Sequence, residues 1–131
     1  MAGLHNIPLK MAMLAEELEK IAKPKTEILG ISTYRTKDET HYYQFQYVRV
    51  NNDKYEVDII SQPSYGNRNK SFLVTHLYHS PRVNAQVQID VGLKCDSIEK
   101  VKAISMEWAE MNSKYIRTGI TIDKQIEAYS N

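Results

Sequence analysis

The sequence predicts an α+β domain in which one antiparallel sheet is covered on one face by helices. Three observations predict it. Apolar residues step at helical spacing near both ends of the chain, and they alternate with polar residues through most of the middle. Turn-forming clusters separate the alternating runs. A chain of 131 residues fits one domain of ordinary size, 1–131, with residues 1–8 as a flexible arm and 120–131 as a short C-terminal extension.

Pro8 suits the first turn of a helix over residues 9–22. There Met11, Leu14, Leu18 and Ile21 form one apolar stripe, with Glu16, Glu17, Glu19 and Lys20 opposite. Lys23-Pro24-Lys25 ends it, because proline disfavours helical geometry in the residue before it. Residues 27–35 read as a strand, with Gly30 marking a bulge, and Lys37-Asp38-Glu39 as the following turn. The strongest strand is 41–50, where Tyr43, Phe45 and Tyr47 oppose Gln44 and Gln46. Asn51-Asn52-Asp53 is a hairpin signal, since Asn and Asp tolerate left-handed geometry. Residues 54–61 return, alternating Tyr55, Val57 and Ile59 with Glu56 and Asp58.

Residues 62–71 (QPSYGNRNKS) are the longest polar stretch and the basic one. Residues 71–79 read as a strand apolar on both sides, hence central, broken by Ser80-Pro81. Val83, Ala85, Val87, Ile89 and Val91 then alternate with polar residues, predicting a strand with one buried face. After Gly92, Asp96 and Glu99 suggest a capping box. Ile98, Val101, Ile104, Trp108, Met111 and Tyr115 form the stripe of an amphipathic helix ending at Gly119. A short last helix over 123–129 docks through Ile122 and Ile126. The expected architecture is therefore an N-terminal helix, a four- to five-stranded antiparallel meander and a C-terminal amphipathic helix packed on one face.

Net charge is +1, so bulk electrostatics give no argument for nucleic acid or an anionic membrane. The single Cys95 excludes an intramolecular disulfide, and no zinc-ligand spacing occurs. No apolar run approaches the roughly 18 residues of a membrane span, and the first residues lack a secretory pattern. These features place the chain in a reducing compartment, by default the cytoplasm, away from membranes.

The candidate chemistry is sparse. His76 and His79 would point to opposite faces of a strand, which argues against a shared metal. Cys95 precedes a helix start, where a thiol pKa falls, but Asp96 opposes that effect and no partner base is fixed. In the 62–71 loop, Arg68 and Lys70 supply charge, Gly66 close approach and Tyr65 a ring for a phosphate or base. A solvated connection is the plainer reading of that loop. Tyr42, Tyr43, Tyr47 and Tyr55 have the makings of a stacking platform, although sheet packing accounts for them more simply. No catalytic set, metal site or cofactor motif emerges.

The stretch 72–84, with Tyr78-His79-Ser80-Pro81 and Asn84, resembles the segment leading into the active site of ubiquitin-conjugating enzymes. The order of a helix, a meander and the turn Pro63-Ser64-Tyr65 is similar too, as is the later stretch with Trp108-Ala109-Glu110 and 115–119. Ser80 intrudes between His79 and Pro81, and the expected nucleophile position falls at Ile89 or Asp90, with Cys95 some five residues late. A carboxylate does not replace a thiol as thioester-forming nucleophile. The resemblance therefore implies a non-catalytic variant of that fold.

The functional expectation is a non-catalytic protein-interaction or regulatory module. It binds another protein, or a second copy of itself, through an exposed sheet face or the 62–71 loop. The alternative is a small nucleotide-, phosphate- or nucleic-acid-binding protein, or an enzyme, using Tyr65, Arg68, Lys70, His76 and His79.

Overall fold

The computed structural model describes residues 11–14, 26–92 and 95–130. Residues 11–14 are helical and exposed. The rest of the helix expected over 9–22, its proline stop and the arm 1–8 lie outside the described residues.

Strands β1 (Thr26–Arg35), β2 (Tyr42–Val50) and β3 (Lys54–Ser61) form an up-and-down antiparallel meander. Gly30 sits at φ 139°, and the β1–β2 register slips between Ile28 and Gly30, so the expected bulge is present. Asn51 adopts φ 60° in the β2–β3 hairpin, the left-handed geometry its short polar side chain tolerates. The β1–β2 turn is tied by Thr36 N–H to His41 O (3.0 Å), and Asp38 accepts from Thr36 Oγ1 (2.8 Å) and Thr40 N–H (3.0 Å).

Beyond β3 the chain departs from a simple meander. The sheet order is β1-β2-β3-β5-β4, so the last hairpin enters reversed, with β4 (Leu77–His79) at the edge and β5 (Val87–Ile89) inside. The strand expected over 71–79 is thus neither continuous nor central. Residues Phe72–Thr75 instead wind into a single turn of helix, α1, and His76 reverses the chain at φ 60°. Phe, Val and Thr favour strands, but a short apolar run does not choose its own conformation. One local and one tertiary bond decide here: Thr75 Oγ1 donates back to Ser71 O (2.9 Å), and Trp108 Nε1 donates to Thr75 O (2.9 Å). The strand expected over 83–91 shrinks to β5 alone. Arg82 and Asn84 are drawn onto the sheet, which turns Val83 fully into solvent.

Helix α2 (Ile98–Thr118) crosses one face of the sheet, and α3 (Ile122–Ser130) packs beside it. The expected Asp96 cap is displaced by one residue. Ser97 is the N-cap, its Oγ accepting from Lys100 N–H (3.1 Å), while Asp96 pairs with the Lys100 ammonium (3.3 Å). At the other end Gly119 adopts φ 80° and closes the helix onto Tyr115 O. The buried stripe of α2 runs through Val101, Ser105, Trp108, Asn112 and Tyr115. It is therefore rotated from the purely apolar stripe, and Ile104 and Met111 sit at its margin. Ile122 docks α3 as expected, whereas Ile126 remains exposed.

Trp108 is the centre of the core, standing edge-on to Tyr43 (5.5 Å between ring centroids) and Phe45 (6.3 Å). Edge-to-face packing sets the positive rim of one ring against the negative face of another. The tyrosine hydroxyls reach inward-facing polar groups of α2: Tyr43 donates to Asn112 Oδ1 (2.6 Å), and Tyr47 lies 2.7 Å from Ser105 Oγ. Tyr43 and Tyr47 are consequently core residues, not a stacking surface.

Candidate functional site

The five singled-out residues of the 65–79 region fall around one end of the sheet, and most are bound into the fold. Tyr65 is buried, and its hydroxyl accepts from Asn112 Nδ2 (2.7 Å) while donating to Gln62 Oε1 (2.9 Å). Burial pushes its pKa up to about 12. Arg68 donates from Nε to Ile116 O (3.2 Å) and lies against Gly119, where an added Cβ would come within 2.8 Å of its guanidinium. A cation at a helix C-terminus complements the unpaired carbonyls there. Tyr115 completes the strap by donating to Asn69 O (2.6 Å).

The two histidines separate. His76 Nε2 meets Asp123 Oδ1 (2.8 Å), joining α1 to the first turn of α3. His79 sits on β4 with its ring against Phe72 (4.7 Å). Lys70 is exposed, and its ammonium group has no partner among the described residues. Together with Tyr65, Phe72, Leu77 and Gln86 it lines an open cavity of about 360 Å³. The structure thus brings Tyr65 and Lys70 to one cavity and commits Arg68, His76 and His79 to other contacts. Among the described residues no three His, Cys, Asp or Glu side chains gather as metal ligands. Cys95 is buried, and burial raises its thiol pKa, so the helix start does not activate it.

The opposite face of the sheet carries a polar cluster that the alternation did not reveal. Asp58, fully buried, accepts from Arg82 Nε (2.8 Å), Arg82 Nη2 (2.9 Å), Ser80 Oγ (2.6 Å) and Gln46 Nε2 (3.0 Å). Arg82 also meets Glu56 Oε1 at 2.7 Å. Gln46 and Asn84 pair amide to amide, at 3.0 and 2.8 Å. Burial alone would raise the Asp58 pKa, but the bonds from Arg82, Ser80 and Gln46 outweigh it and hold the carboxyl below its usual range. A carboxylate with four donors has no lone pair left for chemistry; this cluster fixes the 80–84 loop across the sheet. Ser80 and Asn84, which the loop brings in from one side, both belong to it.

A second unforeseen pair is His41 Nδ1 and Ser113 Oγ, 2.6 Å apart. A serine so placed resembles an activated nucleophile. Here Ser113 is 1% exposed, which shuts its hydroxyl away from any substrate carbonyl. Burial, and then the charge of Arg117, lower the His41 pKa. Nearby, Tyr34 donates to the Glu110 carboxylate, which also accepts Lys37 N–H (3.0 Å). Burial and that carboxylate push the Tyr34 hydroxyl up to about 12.

The least covered part of the sheet is β1. Nine of its ten residues are exposed, including Ile28 (54%), Leu29 (40%) and Ile31 (53%). Its outer edge pairs with no other strand among the described residues. Register places Ile28 and Ile31 beside Val48 and Gln46, on the face away from α2. No helix among the described residues is long and apolar enough to cross a membrane. No family model, curated protein or solved structure matches the chain.

Proposed function

We propose that the chain is a non-catalytic interaction module that binds another protein along β1 and the sheet face beside it. The observation that carries this reading is the exposed apolar run Ile28, Leu29 and Ile31 on an edge strand of ten residues. An open strand edge offers unpaired amides and carbonyls to an incoming strand, and exposed apolar side chains beside it add area. The bulge at Gly30 and the charged groups Glu27 and Arg35 near the strand ends restrain indiscriminate pairing. The buried, pKa-raised Cys95 and the fully bonded Asp58 supply no nucleophile.

Size-exclusion chromatography with light scattering, on the pure protein and on a tagged copy recovered from its native extract, tests the reading. A homodimer or a stoichiometric co-eluting protein, lost in Ile31→Lys, is the expected result. A lone monomer with the same recovered proteins in Ile31→Lys overturns it.

The cavity of about 360 Å³ beside Tyr65 and Lys70 favours a second reading, a nucleotide or phosphate ligand. The informative variant is Lys70→Ala, because Arg68→Ala would disturb the end of α2 as well. A nucleotide-induced rise in melting temperature that Lys70→Ala abolishes supports this ligand.

A further inference from the structure

We infer that the groove between α2 and α3 is a binding site for a small amphiphilic anion, a carboxylate or phosphate on an apolar or aromatic body. The groove holds about 420 Å³, within the range of small-molecule sites. It is distinct from the β1 surface and from the Tyr65 cavity. Glu110, Met111, Lys114 and Arg117 recur along one face of α2, and Lys124, Gln125 and Ala128 face them from α3.

The charges at the groove are unequally committed. Glu110, its one acid, already accepts from Tyr34 and from Lys37 N–H. Arg117 shares its charge with Asp38 at 3.3 Å. Lys114 and Lys124 are exposed, and their ammonium groups have no partner among the described residues. The walls are apolar, with Ile120 at 42% exposure and the Tyr129 ring at 86%. The groove is also preformed. The buried Gln125 amide donates to Met111 O (3.0 Å) and Ile120 O (2.9 Å), which fixes α3 against the end of α2.

Two exposed ammonium groups hold a bare anion weakly, because water screens the pair and long side chains lose entropy. An apolar body laid on Met111, Ala128 and Tyr129 supplies the remaining affinity and sets the headgroup between the lysines. The ligand class is therefore an amphiphile, and inorganic phosphate alone does not suffice.

Heteronuclear NMR titration of the full chain tests this with 1-naphthyl phosphate, 1-naphthoate, neutral 1-naphthol and inorganic phosphate. Saturable shifts at Lys114, Lys124 and Tyr129 are expected for the two naphthyl anions, with naphthol and phosphate at least about tenfold weaker. The tighter of the two anions identifies the headgroup. The double substitution Lys114→Glu/Lys124→Glu lies on exposed positions, leaves the thermal melt unchanged and weakens the anions at least about tenfold. Naphthol binding as tightly as the anions, affinity retained in the double variant, or no saturable shifts in the groove each overturn the assignment.

Discussion

The two faces of the sheet are buried by different physics. On the α2 face, alternating aromatic residues of β2 pack against Trp108, and tyrosine hydroxyls end on Asn112 and Ser105. On the other face, the centre is sealed by charges and amides, with Arg82 folded down onto Asp58 and Glu56. Apolar burial is non-directional and forgiving of small shifts, whereas a buried ion pair requires all of its donors in place. The contrast also separates regions of the surface. Where the 80–84 loop covers the sheet, little is available to a partner; where it ends, β1 lies open.

The comparison breaks hardest at Trp108. Trp108→Ala removes the ring that stands edge-on to Tyr43 and Phe45 and the bond to Thr75 O, and should cost about 3–5 kcal/mol in urea unfolding. On the opposite face, Arg82→Ala leaves the Asp58 carboxylate buried without its bidentate partner, with an expected loss of about 3 kcal/mol. The two substitutions differ in reach. Amide exchange should rise throughout the sheet for Trp108→Ala, and mainly over residues 80–88 for Arg82→Ala if opening is local. Equal exchange throughout in both variants would mean that the faces unfold as one unit.

That asymmetry also explains what the sequence made legible. The α2 face was readable because Tyr43, Phe45, Tyr47, Val57 and Ile59 carry burial in their own hydrophobicity. The other face was not, since Gln46 and Asp58 look like solvent-facing residues until Asn84 and Arg82 arrive from a distant loop. Polar positions hid the buried stripe of α2 in the same way, at Ser105 and Asn112. Both interrupt the apolar spacing at helical intervals, a signal that points inward only when the neighbours are already placed. Residues 72–75 were misread because a short apolar run fits a strand or a helical turn equally well. At the candidate site, the reading grouped Tyr65 with Lys70, and both line one cavity. It could not see that Arg68 and His76 answer to α2 and α3.

A gentler break lies in the hydroxyl-to-amide chain that joins the core to the 62–71 loop. Tyr43→Phe keeps the ring and deprives Asn112 Oδ1 of its donor, at a cost of about 1–2 kcal/mol measured by urea unfolding. A larger loss would place the loop within the same cooperative unit as the core. Ile31→Lys, on the exposed β1, should leave stability within about 0.5 kcal/mol while abolishing partner capture, because no core contact is removed.

The pH dependence separates the faces most finely. Asp58 has its pKa lowered from 3.8 in the folded state, so the folded protein sheds that proton more readily than the unfolded chain. Its contribution is complete well above pH 3.8 and is lost as the pH falls below that value toward the folded pKa. His41, lowered from 6.5 by burial and then by Arg117, also stabilises its deprotonated state, but its contribution begins to fall as the pH drops through 6.5. The two windows are separate, which lets one titration distinguish them. The stability difference between the native sequence and Asp58→Asn should stay constant from pH 7 to 5 and narrow below about pH 4. The difference from His41→Gln should already have narrowed by about pH 5. A constant Asp58→Asn difference down to pH 3 would show that the carboxylate keeps its donors only as well as an amide would. The far face would then be held by shape and hydrogen bonding, with its charge contributing nothing.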